Sequence, residues 1–150
     1  MSHVKTAVMV LVISMVLSLV LAYASIMTIV QTTKSNTERV LNSFVIENST
    51  YIYNSIKNGD DFTTAINANY FVSQFSLENS LDFDGNFLYN KDDRGVSIFK
   101  MTNPTTHFSV DNTLNLTTTF DLLIPVQFAG KQVTEIRIPI KVTASYNLKN

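Results

Sequence analysis

The sequence predicts an α+β protein in which a long N-terminal transmembrane and stalk helix packs against a C-terminal antiparallel β-sheet, with a short second helix. Three observations support this fold class. The segment from Ala7 to Val30 contains no charged residue, proline or glycine. The segment 31–58 also lacks proline and glycine and carries one apolar stripe at helical spacing. The last third of the chain alternates apolar and polar residues, as strands with one buried face do.

The first segment, assigned to residues 1–30, is long enough to cross a bilayer. As a helix, Ala7–Val30 spans about 36 Å against a hydrocarbon core of about 30 Å. The tripeptide Ala22-Tyr23-Ala24 is typical of a signal-peptidase site, so a secreted domain released after Ala24 is an alternative. The apolar run exceeds a signal peptide's apolar region of about 7–15 residues, which favours a retained, single-pass anchor.

The short stretch before the anchor favours a cytoplasmic N-terminus and an extracytoplasmic C-terminal domain, because it offers nothing to translocate. Small residues recur along one face of the anchor helix, and such a face allows close helix–helix approach in membranes. They are Ser14, Ser18, Ala22 and Ser25. The alternative is that these residues are merely tolerated there.

Residues 31–58 are predicted to continue the same helix as an amphipathic stalk that ends at Asn58-Gly59. Its apolar stripe needs a partner, either the chain's own sheet or a neighbouring subunit. The stripe consists of Leu41, Phe44, Val45, Ile52 and Ile56.

The remainder, 59–150, is predicted to be an extracytoplasmic α+β domain. Asp60 or Asp61 caps a second helix over about 61–75, with Phe62, Ala65, Ile66, Phe71 and Phe75 on one side. The segment 77–95 is rich in turn formers and is interpreted as an exposed connection. Antiparallel strands are expected over about 96–147, with shorter ones at Val96–Met101 and His107–Asp111.

The two long strands of this domain are predicted to form a hairpin. Apolar residues occupy even positions in both Thr113–Phe128 and 132–147, so even residues must pair with even ones. The connecting loop must then hold an odd number of residues, which Ala129-Gly130-Lys131 satisfies. Pro125 and Pro139 fall on the outer face, where each is expected at an edge or a bulge.

Composition and motifs give no support to catalysis. The chain has no cysteine and a formal net charge of −1, which argues against thiol chemistry and against a basic nucleic-acid surface. Its two histidines, His3 and His107, lie far apart in sequence without other metal ligands at suitable spacing. We therefore expect no enzyme, no catalytic residues, no cofactor, no small-molecule substrate and no nucleic-acid partner.

An acidic segment contains the only spacing that resembles a cation site. Oxygen-bearing residues occupy positions 1, 3, 5, 9 and 12 of a calcium-loop count, namely Asp82, Asp84, Asn86, Asn90 and Asp93. Phe87 stands where such a loop needs glycine, so a solvated turn without metal is favoured. Asn48 and Asn115 begin Asn-x-Ser/Thr glycosylation patterns.

This layout resembles the type IV pilin-like superfamily, and within it the TadE-like pseudopilins of tight-adherence pilus systems. The resemblance rests on the helix KTAVMVLVISMVLSLVLAYASIMTIVQTTKSNTERV and on the closing hairpin IPVQFAGKQVTEIRIPIKVTASYN. Pilins carry a glycine or alanine processing site followed by a glutamate near the start of the mature helix. Here Glu38 is the first glutamate, and Ala7 is the small residue nearest to a processing site.

The resemblance implies a non-enzymatic structural subunit, a pilin-like or pseudopilin component of a cell-surface filament or of its assembly machinery. Its apolar N-terminal helix is expected to pack in the membrane or filament, against further copies or other pilin-like subunits. A monomeric, membrane-anchored extracytoplasmic binding or sensor module is the alternative, as is the secreted domain.

Overall fold

A computed structural model describes residues 2–61, 68–111, 113–128 and 130–147. The chain forms two compact units, Met1–Thr32 and Thr33–Asn150. Two helices, α1 (Ser2–Asn58) and α2 (Ala68–Glu78), precede an antiparallel sheet of six strands. The predicted α+β class, with a long N-terminal apolar helix and a short second helix, is confirmed.

Helix α1 ends where the sequence predicts. Gly59 has a φ of 76°, a left-handed conformation that glycine adopts without a steric penalty. The Asp60 amide donates to the Ser55 carbonyl at 2.8 Å and the Gly59 amide to the Ile56 carbonyl at 3.2 Å. These two bonds satisfy carbonyls of the last turn that otherwise lack partners, which is why the helix stops here.

Helix α2 differs from its predicted span of about 61–75. It ends three residues later, at Glu78, because Ser80 adopts the left-handed conformation (φ 52°) and the Leu81 amide donates to the Ser76 carbonyl at 2.8 Å. The sequence offered no glycine to mark this end. Phe62, Ala65 and Ile66, assigned to the same helix, lie outside the described residues.

The sheet begins earlier than predicted, since part of the supposed connection 77–95 is strand. Its six strands are β1 (Asp82–Phe83), β2 (Phe87–Lys91), β3 (Ser97–Thr102), β4 (Thr105–Val110), β5 (Thr113–Phe128) and β6 (Lys131–Asn147). They run in the order β1-β2-β3-β5, and β6 pairs with the other edge of β5. Strand β4 follows β3 along β5, after an interruption at Asn103-Pro104 where proline lacks an amide donor.

The long hairpin of β5 and β6 confirms the even-to-even pairing. Leu116 pairs with Ala144 and Phe120 with Ile140. The predicted three-residue loop is wrong, because β5 ends at Phe128 and β6 begins at Lys131. The extra residue lies instead at a register shift, where Val126 pairs with Thr134 and Gln127 with Gln132.

The core of the second unit forms where α1, α2 and the sheet meet. Four phenylalanine rings lie in series, with centroid separations of 5.6 Å for Phe44–Phe71, 6.1 Å for Phe71–Phe75 and 6.0 Å for Phe75–Phe120. Around them the even-numbered residues of β5 from Leu114 to Ile124 are buried. The aromatic series therefore ties both helices to the central strand.

Candidate functional site

The first unit exposes an apolar helical surface. Every large hydrophobic side chain from Val8 to Leu21 in α1 is at least half exposed. The helix is long and apolar enough, by length and composition, to span a membrane. Such a surface is unstable in water unless lipid or other apolar helices cover it.

The predicted small-residue stripe lies on this exposed helix. Ser14, Ser18, Ala22 and Ser25 are all exposed. The Ser14 hydroxyl donates to the Val10 carbonyl at 2.8 Å, so this hydroxyl is satisfied within the helix. The stripe can therefore face lipid or another helix without an unpaired hydroxyl at Ser14, and its role in assembly remains a prediction.

The two residues considered for processing also lie within α1. Ala7 and Ala24 both have helical backbone, and the Ala24 carbonyl accepts a hydrogen bond from the Thr28 hydroxyl at 2.9 Å. Cleavage at either position would require the helix to open locally.

The stalk stripe is covered by this chain's own fold. Leu41, Phe44, Val45 and Ile52 are at most 2% exposed, and Ile56 is half-buried. Of the two partners considered for the stripe, the structure supplies α2 and the sheet, through the aromatic series. The stalk part of α1 is thus a core element of the second unit.

The buried face of α1 begins earlier in the chain than the predicted stripe. Thr33, Thr37 and Val40 are buried as well, and the Thr37 hydroxyl donates to the Thr33 carbonyl at 2.7 Å. Their spacing matches the stripe, but two threonines do not register as apolar. Bonding within the helix allows the Thr37 hydroxyl to be buried without the cost of an unpaired polar group.

The five calcium candidates are spread over two hairpin turns and the strands beside them. Asp82 lies in β1 and pairs with the Lys91 amine at 2.8 Å, and Asn90 pairs across β2 and β3 with Phe99. Asn86 lies in the β1–β2 turn and Asp93 in the β2–β3 turn.

In the first of these turns, Asp84 accepts the amides of Asn86 and Phe87, both at 2.9 Å. The carboxylate is thus used to close the turn. Among the described residues, no group of three or more His, Cys, Asp or Glu side chains is placed to hold a metal ion.

The acidic residues instead stabilise turns. In the β2–β3 turn, Asp92 accepts the amides of Val96 and Arg94, both at 2.9 Å. The hydrogen bond from the Val96 amide is the main reason why the pKa of Asp92 lies below its ordinary value, and the hydrogen bonds from Arg94 add to this effect. Hydrogen bonds from the Phe87 and Asn86 amides and from the Tyr89 hydroxyl lower the pKa of Asp84 in the same way.

These two turns are therefore expected to loosen in acid. A carboxylate whose folded pKa is depressed stabilises the fold above its unfolded pKa, and this stabilisation is lost as the pH falls from about 4 through the folded pKa. Amide hydrogen exchange at Val96, measured by NMR, should accelerate over that range relative to a core amide. Asp92→Asn should remove this pH dependence, whereas the neighbouring exposed Asp93→Asn should retain it. Equal behaviour of the two variants would contradict the assignment.

The remaining sequence candidates lie apart from one another. His3 is exposed on α1, and His107 is exposed on β4. The side-chain amide of Asn48 donates from Nδ2 to the Phe44 carbonyl at 2.8 Å within α1. Asn115, in the central strand β5, accepts the Ser145 hydroxyl at 2.6 Å. Both glycosylation patterns thus fall in regular secondary structure with their side chains hydrogen-bonded.

The outer face of the sheet carries an ion-pair cluster that sequence reasoning missed. Lys100 pairs with Glu135 at 3.1 Å and lies 4.9 Å from the centre of the Phe87 ring. The Arg137 guanidinium pairs with Asp121, with Nε donating at 2.9 Å. The alternation identified this face as polar, but the pairs depend on the strand register.

An open groove of about 280 Å³ lies between the stalk part of α1 and the end of the long hairpin. Val45, Ile52 and Leu114 supply apolar walls, and Tyr53 and Tyr146 line it as well. The Tyr146 hydroxyl donates to the Asn42 carbonyl at 3.4 Å. This arrangement holds the last strand against the helix.

Comparison with protein-family models, with curated proteins and with solved structures gave no match to this chain.

Proposed function

We propose that the protein is a non-enzymatic structural subunit, a pilin-like or pseudopilin component of a cell-surface filament or of its assembly machinery. It assembles through its N-terminal apolar helix. It is a single-pass membrane protein with a cytoplasmic N-terminus and an extracytoplasmic second unit. Its partners are the membrane and further copies or other pilin-like subunits.

One observation carries the proposal: the two parts of α1 differ in what covers them. From Leu41 to Ile52 the stripe is buried by α2 and the sheet of the same chain. From Val8 to Leu21 the large apolar side chains are exposed in the chain by itself. The second unit needs no partner for its core, whereas the apolar helix joined to it needs lipid or other helices to cover it. This arrangement suits an anchored subunit.

The alternative is a monomeric, membrane-anchored binding or sensor module. The groove beside Tyr53 and Tyr146 is the feature that favours it, because a binding module needs a concave surface. A secreted domain cleaved after Ala24 is a further alternative, and it would discard most of the apolar surface.

The mature N-terminus of the native protein, determined by mass spectrometry, tests the proposal. Met1 or Ser2 at the start supports a retained anchor, and a start at Val8 supports prepilin-like processing after Ala7. A start at Ser25 would contradict both and support a secreted domain. Electron microscopy of sheared surface fibres from the same cells, with antibody labelling, then tests the filament. Protein confined to membranes as a monomer would favour the anchored module.

A further inference from the structure

Three strands of the sheet, β1, β4 and β6, each have an edge that is unpaired among the described residues, and the edges at β1 and β6 differ in charge. Among the described residues, β1 pairs only with β2, and β6 pairs only with β5. The segment 82–94, which includes β1 and β2, has four aspartates against one lysine and one arginine, a net charge of −2. Strand β6 has three basic residues against one glutamate, a net charge of +2.

Some charged side chains at these two edges form ion pairs within the chain, and only the unpaired ones are available to a partner. On the β1–β2 side, Lys91 is paired with Asp82 and Arg94 with Asp92. This leaves Asp84, in the β1–β2 turn, and Asp93, in the β2–β3 turn, exposed and without an ion pair to any described residue. On β6, Arg137 and Glu135 are paired within the sheet, whereas Lys131 and Lys141 are exposed and form no ion pair with a described residue.

The backbone of β6 is also open to a partner over part of its length. The backbone amide of Asp121 donates to the Thr102 hydroxyl on β3 at 2.9 Å, and it therefore points away from β6. The other odd-numbered residues of β5 near it point their amides the same way, because the direction alternates along a strand. Asp121 pairs with Pro139, so the backbone nitrogen of Pro139 points away from β5. The odd-numbered residues of β6 on either side of it therefore direct their amides to the free edge. Pro139 removes one such donor. Lys141, Thr143 and Ser145 lie beyond it and keep theirs.

A two-fold contact of β6 with β6 of another copy is disfavoured by these same residues. Full overlap would centre on Pro139, so that the two prolines face each other. It would also bring the two unpaired lysines of each copy, Lys131 and Lys141, into one contact, and like charges brought together there are destabilising. The β1–β2 edge offers the opposite charge, and each edge also carries an exposed apolar side chain, Phe83 in β1 and Val133 in β6.

We propose that copies of this chain associate head to tail, with the β1–β2 edge of one copy against the β6 edge of the next. The occupant of each edge is thus a second copy, selected by charge. In a contact of this heterologous kind, the copy at each end of the row still has one unpaired edge, so further copies can add to the row. The inference rests on the proposed function as an assembling subunit, and it assigns the surfaces that set the order of subunits.

A charge exchange tests the contact in the full-length protein. Because the chain has no cysteine, Thr50→Cys on the exposed face of α1 gives a single labelling site. Energy transfer between donor-labelled and acceptor-labelled copies in phosphatidylcholine vesicles then reports association. Asp93→Lys or Lys141→Glu alone should weaken association by about threefold to tenfold at low salt, and the double variant should restore it. Salt should weaken the wild-type contact.

Matched controls place the same charge changes elsewhere. Asp111→Lys and Lys57→Glu, both at exposed residues off the two edges, should leave association within about twofold of wild type. An effect of Lys141→Glu alone, with Asp93→Lys silent, would overturn the head-to-tail contact in favour of β6 against β6.

Association unchanged in all variants would overturn the edge contact and leave helix-driven assembly, and thus the proposed function, standing. Absence of energy transfer in the wild-type chain would overturn the association of copies, and with it the edge contact, while assembly with other pilin-like subunits would still be tested by the labelled surface fibres.

Discussion

Replacing Phe44 by alanine is expected to lower the free energy of unfolding of the second unit by about 3–5 kcal/mol, the usual cost of truncating a buried aromatic side chain. Phe44 is 1% exposed and contacts Phe71 edge to face, with ring centroids 5.6 Å apart. Its loss opens a cavity at the junction of α1 and α2. Because domains are stable by only about 5–15 kcal/mol, this change removes much of the total.

Urea unfolding of the full-length protein in detergent micelles, followed by circular dichroism of the sheet, measures this effect. Phe44→Leu keeps most of the volume and should cost less than alanine does. Tyr51→Ala, on the exposed side of the same helix, should change the free energy of unfolding by no more than about 0.5 kcal/mol. Equal midpoints for Phe44→Ala and Tyr51→Ala would show that the stalk stripe is not part of the core.

Placing two arginines in the apolar helix, Ile13→Arg with Leu17→Arg, is expected to abolish stable membrane insertion. Both side chains are more than half exposed on the helix, with Leu17 near the centre of the uncharged run and Ile13 about one turn nearer its start. An arginine at the centre of a spanning helix costs about 2.5–3.5 kcal/mol, so the pair costs at most about 5–7 kcal/mol. The second unit should fold as before, because its core does not include these residues.

Extraction of membranes at high pH, followed by detection of the protein in pellet and supernatant, measures insertion. The wild-type chain should remain in the pellet, as should the matched control Ile13→Leu with Leu17→Ile. The arginine variant should move to the supernatant or be degraded. Retention of the arginine variant at the wild-type level would show that the helix does not span the bilayer and would contradict the anchored-subunit proposal.

The sequence determined the long helix and the long hairpin because both follow from local chemistry. An uninterrupted run without proline or glycine propagates helix until Asn58-Gly59. Alternation of apolar and polar residues over Thr113–Phe128 requires one buried face, whatever lies on it. The face was therefore predictable from parity alone, and Leu116, Phe120 and Leu122 are all buried.

Turns and element ends were less predictable. The three-residue hairpin loop was the simplest solution to the parity rule, but a register shift near Val126 supplies the odd residue equally well. The end of α2 at Glu78 could not be recognised, since Ser80, a serine in the left-handed conformation, leaves no sequence signal. Strands β1 and β2 were not predicted because they lie between aspartates, and a segment rich in acidic residues usually indicates an exposed connection. In the structure these aspartates close the turns beside the strands.

Only the tertiary structure decided what each apolar surface meets. The sequence required a partner for the stalk stripe and left open whether it came from this chain or another. Folding places α2 and β5 on that stripe, through Phe71, Phe75 and Phe120, because residues distant in sequence supply the complementary rings. The strand order and register likewise joined Lys100 to Glu135 and placed opposite charges at the β1 and β6 edges of the sheet. Local chemistry fixes which faces are apolar or charged, whereas long-range packing fixes which faces meet.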